Sequence, residues 1–179
     1  MAQDGASAAT TQAIGATDVI EHLAGITPGS KLAQLRAERP VLVKATQGSH
    51  EALFEPEDLG GVSHRERDGL ALRVAVLTPS PELVTWHRDR LAAQGEDAAT
   101  IAAFEQGPNG TGLTTREVAL LRHADILANT PGAATPANIA ALKAAGFTPR
   151  DIVTLSQLIA FVSFQARLLV GLRLVGEEV

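Results

Sequence analysis

Cysteine is absent from all 179 residues. That one absence excludes disulfides, thiolate nucleophiles and cysteine-held metals together. Tyrosine is missing as well, and aromatics make up only 3% of the chain. The large rings and β-branched pairs that pack sheets are therefore scarce. A basic excess is also lacking: 15 Lys and Arg stand against 20 Asp and Glu, a formal charge of -5. Neither nucleic acid nor an anionic membrane surface is expected as a partner. The opening MAQDGASAATTQAIGA carries an acid and no basic cluster or continuous apolar core. It does not read as a secretory signal, so residues 1–16 are expected to be a loose tail on a cytoplasmic protein. The apolar stretch Ile152 to Val175 is interrupted by Ser156, Gln157, Ser163, Gln165, Arg167 and Arg173. Such interruptions favour a buried bundle helix over a membrane span.

What the chain does have is helix punctuation. Hydrophobic residues reach 45%, with Leu and Ala foremost, and start signals recur throughout. Asp18 with Glu21 opens a short helix to Ile26, Ser30 caps a second that runs to Pro40, and a third covers Val41 to about Phe54. The Glu55–Gly61 loop follows. Ser63 with Glu66 forms a capping box for a helix to Leu77; Ser80 is a natural N-cap, and Pro81 is the first residue of a returning helix that ends near Gly95. Asp97 to Gln106 is a further short helix. Thr114 with Glu117 opens another, with Val118, Leu121 and Ile126 near one face; Pro136 to Gly146 comes next. The longest begins at Thr148-Pro149, runs to about Val175, and is apolar on nearly every face. That calls for burial partly against a second subunit, so a homo-oligomer (dimer, trimer or hexamer) is expected. The fold class is all-α, a bundle of about seven to nine helices, with an N-terminal arm over 17–60 and a core over 61–179.

Two segments carry a resemblance. SHRERDGLALRVAVLTPSPELVTWH and ALKAAGFTPRDIVTLSQLIAFVSFQARLLVGL resemble the hairpin and final helices of the alkyl hydroperoxidase D / carboxymuconolactone decarboxylase family, in its peroxidase-related subgroup. The resemblance covers roughly residues 31 to 175 and implies an alkyl hydroperoxidase D-like helical bundle. The family pattern is Glu, eleven residues, Cys, two residues, Cys, three residues, His. It falls without a gap on Asp68, Ser80, Leu83 and His87. In the peroxidatic version the two cysteines supply a thiolate and a resolving thiol, and the acid and imidazole pass the proton. A serine hydroxyl cannot cycle through sulfenic acid, and leucine has no lone pair. The resemblance thus implies a relative without thiol peroxidase activity.

Asp68, His87 and Ser80 are the candidate catalytic residues. Asp68 lies about 13 Å along its helix from the turn and His87 about 9 Å along the returning one, close enough to meet directly or through one water. An oriented imidazole can work as an acid or base near neutral pH; a buried structural pair is the plainer outcome. Ser163 and Arg167 on the long helix, with Leu83, are the candidate binding residues. Arg167 would hold a carboxylate, or else pair with Asp68 or another acid to join subunits. His64, four before Asp68, does not make a metal site by itself, and His123 is expected at a solvated or half-buried position. No metal and no cofactor is expected. Two functions follow: an oligomeric ligand-binding or scaffold protein, filed as peroxidase-related or antioxidant, or a cofactor-free proton-transfer enzyme of decarboxylase or isomerase type acting on a small carboxylate or lactone through Asp68 and His87. The first expects Leu83 to fill the site; the second needs a pocket open to solvent.

Overall fold

The computed structural model describes residues 18–179; the expected tail over 1–16 lies outside them. Among the described residues there are nine α-helices and no strand: α1 (Val19–Leu23), α2 (Lys31–Ala37), α3 (Pro40–Phe54), α4 (His64–Leu77), α5 (Pro81–Ala93), α6 (Ala98–Gln106), α7 (Thr115–Asn129), α8 (Pro136–Ala144) and α9 (Pro149–Glu178). Local chemistry sets most of the starts. Ser63 and Glu66 satisfy each other's backbone amides, as do Thr114 with Glu117 and Thr148 with Asp151. Proline occupies the first turn of α3, α5, α8 and α9, where its missing N–H costs nothing. Pro40 therefore starts α3, and α2 already ends at Ala37. Likewise α1 stops at Leu23 rather than Ile26, since Gly25 turns the chain with φ of 63°.

At the centre is α4, which packs on α5, α6, α7 and α9. Its Leu70, Ala71, Leu72, Val74 and Ala75 are fully buried. Val19, Ile20, Leu23 and Phe54 of the N-terminal arm join the same apolar cluster as α4, α7 and α9. On α7 the buried face is Leu120, Leu121 and Ala124; Val118 and Ile126, expected beside Leu121, are only half-buried and look toward α8. The long α9 is two-faced. Leu155, Leu158, Val162, Ala166 and Leu169 are buried, whereas Val153, Phe164, Val170 and Leu174 are exposed. By length and composition alone α9 could cross a membrane, but its inner face lies against α4 and α7.

With so few aromatics, helices must approach closely. Gly69 on α4 faces the fully buried Phe104 ring of α6: a Cβ there would come within 2.4 Å of Cε1. A Gly→Ala change in a helix normally gains about 1 kcal/mol. Here the ring has no room to retreat, so overpacking outweighs propensity. Gly69→Ala is expected to destabilise the protein by about 1–3 kcal/mol, read as a lower urea midpoint at unchanged slope; an unchanged or higher midpoint would show that the ring can yield.

Candidate functional site

The α4–α5 hairpin brings Asp68 and His87 together. His87 Nδ1 donates to Asp68 Oδ1 at 2.9 Å, and the two side chains are 1% and 0% exposed. They are not alone. Arg90 Nε donates to the same oxygen at 2.8 Å, and Gln94 Nε2 to Oδ2 at 2.7 Å. His87, Arg90 and Gln94 are spaced three and four apart, so one stripe of α5 presents three donors to one carboxylate. From the far side Arg90 Nη2 donates to Glu55 Oε1 at 2.7 Å, and the guanidinium lies 5.6 Å from the Phe54 ring centre. The Phe54 ring also lies near two imidazoles, with His87 at 5.2 Å and His50 at 4.9 Å between ring centres.

Burial alone would raise the Asp68 carboxyl; the His87 hydrogen bond and the charge and hydrogen bond of Arg90 outweigh burial and hold it below its ordinary value. For His87 burial dominates and keeps the imidazole neutral, against the pull of Asp68. The stable arrangement is an ionised Asp68 and a neutral His87 with its proton on Nδ1. His87 Nε2 then carries a lone pair, and it is buried without a partner. His50 is pushed down to about 4, first by burial and then by the charge of Arg90.

The remaining candidates do not join this cluster as a pocket. Ser80 stands at the N-cap of α5, but its side chain caps no amide: the hydroxyl donates to Glu82 Oε2 at 3.2 Å, since the first-turn carboxylate competes for it. Leu83 is fully buried and fills the space a second thiol would need. Ser163 is buried, while Arg167 lies on the outer face of α9, where Nη1 donates to the Ser163 carbonyl of its own helix at 2.7 Å. The partner of Asp68 is therefore Arg90 and not Arg167. His64 donates Nδ1–H to the Phe54 carbonyl at 3.1 Å, and no group of three or more metal-type ligands occurs among the described residues. His123 is buried, contrary to the expectation of a wetter position, because its Nε2 reaches Ser156 on α9.

Arg90, Gln94 and His50 were not foreseen from sequence. A signal for two of them exists: they share the α5 stripe with His87, and a buried carboxylate needs more than one donor. His50 has none, since only tertiary packing brings α3 to the hairpin.

His50 and His87 both hold pKa values below 6.5 in the folded protein. The unfolded chain takes up their protons first as pH falls below about 6.5, so folding stability should drop between pH 6.5 and the folded values, by about 1.4 kcal/mol per pH unit for each proton. Asp68 acts in a separate window, because its depressed carboxyl loses its contribution only below about pH 3.9. Urea unfolding at pH 7, 6 and 5 should show this early decline, and His50→Gln should flatten it. An equal slope in the variant would remove His50 from the account.

No protein-family model and no curated protein matches this chain. Solved structures do resemble it. An uncharacterised peroxidase-related protein from Silicibacter superposes with a TM-score of 0.66 at 18% identity, over 70% of this chain and 65% of that one, just under two thirds of its length. An uncharacterised peroxidase-related protein from Ralstonia eutropha, described as an alkylhydroperoxidase AhpD core, gives 0.68 at 21% identity, over 83% and 76% of the two chains. A protein of unknown function from Agrobacterium tumefaciens, provisionally described as the antioxidant defence protein AhpD, gives 0.69 at 21% identity, over 78% and 92%. Likeness at this level of identity speaks to architecture, and the architecture is that of the AhpD-like, peroxidase-related proteins.

Proposed function

We propose that this chain is a cysteine-less protein of the AhpD-like fold that does not turn over hydroperoxides through thiols and acts as a cytoplasmic homo-oligomeric scaffold or ligand-binding protein. The observation that carries it is the hairpin itself. Ser80 and Leu83 stand where the redox pair would be, Leu83 is fully buried, and the Asp68–His87 pair is sealed by Arg90, Gln94 and Phe54. A thiol-free start of α5 has no atom that can accept oxygen from a peroxide and be recycled by a dithiol.

Self-association is supported by α9. Val153, Phe164 and Leu174 are 56%, 44% and 58% exposed, and at spacings of eleven and ten they lie along one outer stripe of the helix. Arg167 lies on that stripe as well. Exposed apolar stripes of this kind are more often interfaces than bare surface. A second copy covering it would bury the rings and aliphatic chains that a monomer leaves in water. Cofactor-free proton transfer is the alternative, favoured by the lone pair of His87 Nε2, which has no partner among the described residues. A substrate would reach it only by opening the core, since the side chain is 1% exposed.

Hydroperoxide consumption with a dithiol reductant separates these. The protein should be inactive, and the double variant Ser80→Cys, Leu83→Cys should gain activity on the intact scaffold. Turnover by the unsubstituted chain would overturn the proposal. For the assembly, light scattering should give more than one chain per particle, and Phe164→Asp should lower that mass. A monomeric protein, or an unchanged mass in the variant, would rule out α9 as the interface.

A further inference from the structure

A second site lies between α7 and α8, away from the α4–α5 hairpin. A cleft of about 560 Å³ opens there, a volume suited to a small organic molecule. Val118, Ala119 and Ile126 of α7 face Ala141, Ala144 and Ala145 of α8 across it. Five polar side chains interrupt this apolar lining, Thr115, Arg122, His123, Asp125 and Asn138, and three of them, Arg122, Asn138 and His123, have an unused valence that suits one ligand.

Arg122 is exposed at the cleft. Other arginines of α4 and α7 are engaged: Arg73 grips Asp125 through two hydrogen bonds of 2.6 and 2.9 Å, and Arg116 donates to Glu66 at 2.6 Å. Arg122 makes no ion pair or side-chain hydrogen bond among the described residues, and the one acid lining the cleft, Asp125, is already taken by Arg73. Asn138 accepts both the amide and the hydroxyl of Thr135 with Oδ1, which leaves its Nδ2 free to donate.

His123 is the third group. Ser156 Oγ donates to the Ile152 carbonyl at 2.8 Å, so toward His123 Nε2, at 3.2 Å, it can only accept. The imidazole proton is thereby placed on Nε2, and burial favours the neutral ring. Nδ1 is left as a lone-pair acceptor, buried and without a partner, on a side chain that lines the cleft. Buried polar atoms are nearly always paired in native proteins. The nitrogen is closed to solvent, so a ligand hydroxyl completes it by parting α7 and α8 slightly at this point.

We propose that the α7–α8 cleft binds a small carboxylic acid with an apolar body and a hydroxyl group. The carboxylate pairs with Arg122 and takes a hydrogen bond from Asn138 Nδ2, the apolar body lies against the alanine face of α8, and the hydroxyl donates to His123 Nδ1. The site is independent of the hairpin, and its existence does not depend on whether the chain reduces peroxides.

Isothermal titration of the full chain with 2-hydroxyoctanoate, octanoate and 1-octanol at neutral pH tests this. The hydroxy acid should bind tightest, then the plain acid, then the alcohol, each step on the order of fivefold. Arg122→Gln should weaken both acids about tenfold and leave the alcohol alone. Ala141→Leu, a change to another good helix former at an exposed position of α8, should weaken all three by filling the cleft. Acids that bind no tighter than the alcohol, no detectable binding of 2-hydroxyoctanoate, or unchanged affinity in both variants would overturn the proposal.

Discussion

The buried carboxylate of Asp68 is the constraint around which the fold is arranged. An ionised carboxylate without water costs several kcal/mol unless its lone pairs are met, and here they are met by three side chains of a single helix face. Because those donors span two turns of α5, from His87 to Gln94, the carboxylate fixes both the register and the rotation of α5 against α4. Arg90 then passes the constraint outward. Its second contact, to Glu55, and its position beside Phe54 tie the end of α3 to the same point, so arm and hairpin share one electrostatic clasp.

Arginine plays this joining role elsewhere as well, and composition explains why. A chain with no tyrosine and few other aromatics cannot bridge wide gaps with rings, so its helices close up on Gly and Ala, as at Gly69 against Phe104. The wider joints fall to guanidinium groups. Arg67, nearly fully buried, donates to the carbonyls of Leu53, Leu59 and Val62 and so holds the Glu55–Gly61 loop without any carboxylate partner. Arg73 joins α4 to Asp125 on α7 and to the Glu105 carbonyl on α6. Five donors in a rigid fork suit such many-sided joints in a way a lysine ammonium does not.

This division between local and long-range interactions decided what could be read from the sequence. Caps and first-turn prolines are chemistry between residues three apart, so the starts at Ser63, Thr114 and Thr148 were legible, and with them the all-helical class. The approach of Asp68 to His87 followed from hairpin geometry plus a resemblance. Spacing along α9 gives no sense of which side faces the bundle, so it leaves open a pairing of Arg167 with Asp68 that does not form; Arg90 holds that place from a helix already in contact. His123 was misplaced for a related reason. A lone imidazole in an amphipathic stretch looks half-wet until the serine that receives its proton, Ser156 on another helix, is known.

The same energetics bears on how an acid–imidazole pair in such a hairpin should be interpreted. A pair that relays protons must meet a reacting atom, yet among the described residues the imidazole's only hydrogen bond is to Asp68, and its other nitrogen is enclosed. Removing Asp68 would leave Arg90 and Gln94 facing an uncharged site, and removing His87 would leave a cavity and a buried carboxylate short of one donor, changes costly enough to account for the pair on stability alone. The presence of Asp68 and His87 at the relay positions is therefore weak evidence for catalysis. Ser80 and Leu83 at the mouth of the helix exclude thiol chemistry there, because no rearrangement of the fold can supply a thiol the chain does not contain.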